Sequence, residues 1–424
     1  MKIGKLSLWL AACAVCIGGF FVKGATMYET KAQEQEKLYD IEELLKPVWE
    51  GGICYQESVL PVMGKGYEFE PIQLLYPIEE IIEVKSATLT KTYEEGVDYG
   101  VSDGKLVIDP DGNIPIMSYG EFHPAAGDFP SKQGGYLCFS EGSYFHERQI
   151  VVTYKTSALY NGYVPEGKGN LLKNIRTKLD GGEDIDMLVF GDSISVGGNS
   201  SGFTGVSPYM PTYSQLFAEG LKLHYGVSNV NVYNHSVGGM NTLWGVENVE
   251  SVLQKTPDVD LAIVAFGMND ATLGGSTYAM QINQIVSAIQ TKNPTTDVLV
   301  VATMLPNPDS FVYKNQETFI EFLLTECETE GVAVANMTHV HASLLGRKEY
   351  ADMTGNNINH ANDYLARVYA QTLLKTLQDH PIESPCDGVV EGEKKGGCGS
   401  VTSLSGVGSA LGVAVAAASR KRRK

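Results

Sequence analysis

The chain has 424 residues, 43% of them hydrophobic, with 32 basic against 50 acidic side chains and a formal charge of −18. That length exceeds one ordinary domain, and the apolar content suffices for a large core. Every acidic residue lies between Thr26 and Gly399, while three basic residues precede that span and five follow it, so the middle holds 24 basic against 50 acidic, a charge of −26. Such a surface repels phosphate backbones and anionic polysaccharides, which excludes nucleic acid as a partner and favours a neutral or weakly charged ligand.

At the N-terminus Lys2 and Lys5 precede an apolar stretch over 6–22 and the small residues Gly24 and Ala25. This is the layout of a secretory signal peptide over 1–25, with an uncleaved membrane anchor as the alternative. Residues 38–156 are rich in β-branched and aromatic side chains. Turn signals break them at Gly64-Lys65-Gly66, Ser102-Asp103-Gly104, Asp109-Pro110-Asp111-Gly112-Asn113 and Gly134-Gly135. Short strands at that spacing predict an all-β sandwich or jelly roll, closed by a strand over 147–154, with no helix of note after Leu45. Cys54 and Cys138 could form a disulfide or remain two buried thiols, and Cys327 falls in a predicted helix as core packing. No Cys-x-x-Cys pair or histidine cluster has metal-ligand spacing, so neither metal nor cofactor is expected.

A connector over 157–182 carries the turn signals Asn161-Gly162 and Gly181-Gly182. The pattern then changes. Apolar strand candidates at 187–190, 230–233, 261–266, 298–304 and 332–335 alternate with helix candidates at 211–225, 245–254, 278–292, 316–330 and 362–378. Five strands with helical crossovers predict an open parallel sheet covered on both faces, in a domain over 183–380. Ligands of such sheets bind beyond the carboxyl ends of the strands. A polar linker over 381–399 leads to a weakly apolar run ending in Arg420-Lys421-Arg422-Arg423-Lys424. That segment, 400–424, is just long enough to cross a bilayer and predicts retention at the membrane or cell surface; a disordered tail is the alternative. It resembles bacterial C-terminal sorting tails.

Chemistry concentrates where the strand candidates end. The run Met187-Leu188-Val189-Phe190 stops at Gly191-Asp192-Ser193 and delivers a serine to the start of a helix, where free backbone N–H groups favour negative charge. A helix-capping serine would suit the same place. Three further blocks follow: Asn234-His235-Ser236-Val237-Gly238-Gly239, Gly267-Met268-Asn269-Asp270, and Asn356-Asn357-Ile358-Asn359-His360. In this order the four blocks resemble the SGNH (GDSL) hydrolase family, over about residues 186–377. The resemblance implies a flavodoxin-like, three-layer α/β fold. It also implies Ser193 as nucleophile and His360 as general base. The oxyanion hole would consist of the Ser193 N–H, the Gly239 N–H and the Asn269 amide, with Gly238 in reserve if the register slips. Read without the family, Gly239 is a turn glycine and Asn269-Asp270 an ordinary turn.

The chain departs from the family at one place. The family's last block is Asp-x-x-His, and Asn357 stands three residues before His360. An amide oxygen can accept the imidazole N–H but brings no charge to an imidazolium. The alternatives are orientation of His360 by Asn357, a substitute carboxylate from Asp352 or Asp363, or a Ser-His dyad. An all-β part followed by such a domain resembles bacterial carbohydrate esterases. The expectation is therefore a secreted, surface-retained serine esterase acting on an acylated glycan or small ester, most simply by O-deacetylation. A lipase or lysophospholipase, or a glycan-binding surface protein with a degenerate hydrolase site, are the competing readings.

Overall fold

A computed structural model describes residues 38–66 and 68–379. The predicted signal segment, the linker over 381–399 and the apolar, basic-ended segment over 400–424 lie outside the described residues. Among the described residues no helix is long and apolar enough to cross a membrane.

The N-terminal part is sheet-rich. After the short helix α1 (Ile41–Leu45) come β1 (Gly52–Val59), β2 (Glu80–Ser86), β3 (Thr92–Tyr93), β4 (Tyr99–Ser102), β5 (Lys105–Ile108) and β6 (Ile150–Thr156). Four of them pair antiparallel in the order β1-β6-β2-β3, while β4 and β5 make a two-stranded ribbon. A single-turn helix, α2 (Tyr119–Phe122), opens on a capping box between Ser118 and Glu121. Cys54, Cys138 and Cys327 are free thiols, so the disulfide considered for Cys54 and Cys138 is not formed. Burial instead pushes the Cys54 thiol up to about 11 and the Cys327 thiol up to about 12, which keeps both protonated.

The second part alternates strand and helix. It runs through α3 (Lys173–Asp180), β7 (Ile185–Gly191), α4 (Ser193–Val196), α5 (Ser201–Thr204), α6 (Tyr213–Tyr225), β8 (Val230–Asn234) and α7 (Thr242–Leu253). Then follow β9 (Leu261–Ala265), α8 (Gly275–Lys292), β10 (Asp297–Ala302), α9 (Phe319–Glu326), β11 (Val332–Asn336), α10 (Met337–Leu345) and α11 (Asp363–Leu377). The five expected strands form one parallel sheet in the order β11-β10-β9-β7-β8. Because strand side chains alternate between faces, β7 gives Met187 and Val189 to one core and Leu188 and Phe190 to the other. Helices α3, α6, α10 and α11 cover the first face, and α7, α8 and α9 the second. The result is the predicted three-layer α/β arrangement.

Two helices longer than a single turn fall where the sequence pattern predicts none. The first, α3, lies in the segment read as a connector and buries only Ile175 and Leu179. The second, α10, begins directly from β11, with the Asn336 side chain accepting the His339 N–H.

The N-terminal sheet and the α/β part share a core, which joins Val59, Val84, Val152 and Tyr154 to Met187, Leu365 and Tyr369. Polar groups bridge the same boundary. The Lys348 ammonium donates to Glu57 at 2.6 Å and to the Ser58 carbonyl at 3.0 Å, with Asp352 at 3.7 Å. Burial opposes that charge, but the carboxylates of Glu57 and Asp352 hold the ammonium above its usual value. The Gln371 amide donates to the Leu44 and Lys46 carbonyls at 2.8 Å each, tying α11 to α1.

Candidate active site

The strand order reverses direction at β7: the chain moves out to β8 and returns past β7 to β9. At such a switch point the loops after neighbouring strands splay apart and leave a crevice beyond their carboxyl ends. Ser193 sits there as the first residue of α4. The turn is held by Asp192, whose carboxylate accepts the Ile194 N–H at 3.0 Å. Gly191 allows the turn to lie against β9, since a Cβ there would stand 2.3 Å from the Ala265 carbonyl oxygen. Ser195, two residues on, faces inward and bonds the Tyr213 hydroxyl at 2.8 Å.

The second and third blocks close around this turn. Val237 donates its N–H to the Gly191 carbonyl at 3.0 Å, and an ideal Cβ on Gly238 would lie 3.7 Å from the Ser193 Cβ. Gly239 adopts φ +77°, a left-handed backbone that glycine takes without strain. One N–H of the Asn269 side chain donates to the Met240 carbonyl at 2.9 Å, next to Gly239. An amide nitrogen carries two hydrogens, so the second stays available to a ligand oxygen. Asp270 turns inward and its Oδ1 takes both the N–H (3.0 Å) and the hydroxyl (2.5 Å) of Thr242, fixing the start of α7.

His360 arrives from the loop before α11. Its Nε2 lies 2.9 Å from the Ser193 Oγ. The loop is shaped by Asn356, whose side-chain oxygen accepts the N–H groups of Ile358, Asn359 and His360 at 3.0 to 3.2 Å. It is closed by Thr354, whose hydroxyl donates to the His360 carbonyl at 2.8 Å. Burial lowers the affinity of the imidazole for its proton, with the nearby Glu141 carboxylate acting in the opposite sense. A neutral ring in contact with a serine hydroxyl is placed to act as a general base.

Asn357 does not orient this base. Its backbone takes φ +62°, a left-handed turn that Asn tolerates, and its side chain points into the protein. There the amide donates to the Cys138 carbonyl at 3.0 Å, and its oxygen accepts from the Asn307 amide at 3.2 Å. Neither carboxylate weighed as a substitute faces the ring. Asp352 accepts the Leu60 N–H at 2.8 Å and stands beside Lys348, and Asp363 accepts the Ser201 N–H at 2.8 Å.

The partner of His360 is Asn199, whose side-chain oxygen lies 2.5 Å from the imidazole Nδ1. This fixes the tautomer, with the proton on Nδ1 and the lone pair of Nε2 facing Ser193. Asn199 follows Ser193 by only six residues, after Gly197-Gly198, and also takes a left-handed backbone, φ +64°. Asparagine after a glycine pair signals a left-handed turn in sequence; where its amide points is set by the fold.

The GDSL-like lipase/acylhydrolase family matches residues 189–368. No curated protein matches the chain. Among solved structures, a two-domain esterase active on acetylated mannans, co-crystallised with mannopentaose, is similar at 21% identity and a TM-score of 0.40, over 50% of this chain and 54% of that one. A further structure of a two-domain esterase active on acetylated mannans is similar at 20% identity and a TM-score of 0.42, over 55% of this chain and 60% of that one. An acetylxylan esterase from Geobacillus stearothermophilus is similar at 12% identity and a TM-score of 0.36, over 46% of this chain and 94% of that one. The chain thus spans little more than half the length of the two-domain esterase. On the family match, residues 189–368 are a GDSL-like lipase/acylhydrolase domain.

Proposed function

We propose that the chain is a serine carboxylic ester hydrolase whose first substrate class is an O-acetylated, uncharged glycan. The observation that carries this reading is the line from Ser193 through His360 to Asn199, with Nε2 at 2.9 Å from the hydroxyl. As the Ser193 Oγ bonds to the ester carbonyl carbon, its proton passes to Nε2. The charge that collects on the carbonyl oxygen is met by the Ser193 N–H, the Gly239 N–H and the free hydrogen of the Asn269 amide. Collapse of that intermediate breaks the bond to the alcohol, which takes the proton from Nε2. Water then repeats the sequence on the acyl-enzyme and releases the acid.

The substrate class rests on two further features. Asn269 and Gly239 are exposed, so the reacting carbon is met at the surface, which suits a short acyl group projecting from a polymer. The charge of −18 disfavours polyanions. Export, and retention at the cell surface through 400–424, belong to the same proposal and rest on the sequence of the termini. A lipase-like alternative draws on Val237 and Leu243, exposed apolar residues flanking the Gly239 turn.

Labelling by a fluorophosphonate probe, lost in Ser193→Ala, tests the nucleophile. A folded wild-type protein that takes no label would favour a glycan-binding protein with an inactive site. Acetate release from acetylated xylans, mannans and simple esters tests the substrate; cleavage of long-chain esters alone would refute the glycan assignment.

A further inference from the structure

The match to the hydrolase family begins at residue 189, yet the base is touched by a loop from the N-terminal sheet-rich part. Glu141 and Gly142 of that loop reach the His360 neighbourhood at three points. The Gly142 carbonyl accepts the Asn199 side-chain N–H at 3.2 Å. Glu141 Oε2 stands 3.8 Å from the His360 Nδ1, and Glu141 Oε1 accepts from the Asn356 amide at 3.4 Å.

An asparagine amide can present either its oxygen or its nitrogen, and only the oxygen can accept from Nδ1–H. With its nitrogen bonded to Gly142, the Asn199 amide keeps its oxygen toward the ring. What the amide lacks is charge, and where a serine hydrolase is built around an aspartate at this position, replacement by asparagine costs about 10,000-fold in turnover. Ser193 and Asn199 meet the His360 ring, Gly198 lies beside it and Asn356 accepts the His360 N–H, all with uncharged groups, and Glu141 brings the one carboxylate found within 4 Å of the ring nitrogens among the described residues.

We propose that the N-terminal part completes the base: Gly142 sets the orientation of the Asn199 amide, and Glu141 supplies the negative charge that stabilises the His360 imidazolium. This rests on the ester-hydrolase reading above. When Ser193 attacks, its proton moves to Nε2 and the ring becomes cationic, with Nδ1–H donating to Asn199. Glu141 acts on that cation through space and takes no proton, so it is a positioning and charge partner. The side chain of Glu141 is 58% exposed, so water screens it and its share of the rate is limited to about fivefold.

The test is the pH dependence of kcat/KM on 4-nitrophenyl acetate for the full-length protein at low and high salt. Removing a carboxylate from beside an imidazolium lowers the pH at which the ring protonates. Glu141→Gln is therefore expected to move the acid limb to lower pH by about half a unit, to reduce kcat by about fivefold, and to leave KM unchanged. The limb should shift with ionic strength in the wild type and shift less in Glu141→Gln, where only the remaining, more distant charges are screened. Glu141→Asp should recover part of both effects, and in an Asn199→Asp background, where the charge is direct, Glu141→Gln should lose most of its effect. Glu141 is exposed, so an unchanged melting temperature shows that the variant is folded. An acid limb and salt dependence identical in wild type and Glu141→Gln, with hydrolysis still abolished by Ser193→Ala, would overturn the charge role of Glu141 while leaving the ester-hydrolase reading standing. Hydrolysis that survives Ser193→Ala would overturn the ester-hydrolase reading and this proposal with it.

Discussion

Asp192 holds the turn that presents Ser193, and it should also make the protein less stable as the pH rises. Its side chain is only 1% exposed, one oxygen accepts the Ile194 N–H, and the other has no hydrogen-bond partner. Burial, helped by the nearby Asp270, raises it from 3.8 to about 7. A carboxyl raised in this way binds its proton more tightly in the folded than in the unfolded chain. The associated stability is fully present below 3.8 and is lost as the pH climbs through about 7. Each pH unit between those values is worth about 1.4 kcal/mol, which gives about 4 kcal/mol in all. Asp192→Asn keeps the shape and the acceptor for Ile194 and removes the ionisation. Urea unfolding at pH 5, 6, 7 and 8 should show the wild type losing stability across that range relative to the variant, with Asp192→Asn the more stable at pH 8. Two pH curves that run parallel would refute the assignment of a raised Asp192.

Three other changes probe the site and its support. Asn269→Ala removes one side-chain donor to the oxyanion and should lower kcat on an aryl acetate by about 100-fold to 1000-fold with little change in KM. Asn357→Ala should lower the melting temperature, because it strands the Cys138 carbonyl in the interior and leaves the Asn307 amide only the backbone carbonyl of residue 357 as acceptor. Its turnover should fall far less than in Ser193→Ala, and equal losses would restore Asn357 to the chemistry. Lys348→Met leaves Glu57 and Asp352 buried without their counter-charge and should cost about 3 to 5 kcal/mol in denaturant unfolding. Adding Glu57→Gln should recover part of that loss; a second change that makes matters worse would refute the pairing.

The parallel sheet was legible in the sequence because it depends on short-range signals, whereas Ser193, Gly239, Asn269 and His360 were singled out by the resemblance of their four blocks to the hydrolase family. A strand buried on both faces must be apolar at every position, as in Met187-Leu188-Val189-Phe190, and the turn that ends it must tolerate close packing, as Gly191 does. Helix α3 was not legible, since it buries two side chains and starts from Leu172 without a side-chain cap. The orientation of the base was not legible either. Spacing pointed to Asn357, three residues from His360, whereas Asn199 is 161 residues away and Glu141 arrives from the N-terminal part. Sequence alone determined which residue types stand at the ends of the strands, because local backbone geometry and burial dictate them. Only the tertiary structure decided which amide and which carboxylate face His360, because a hydrogen bond depends on distance and direction in space, and loops from distant parts of the chain set both.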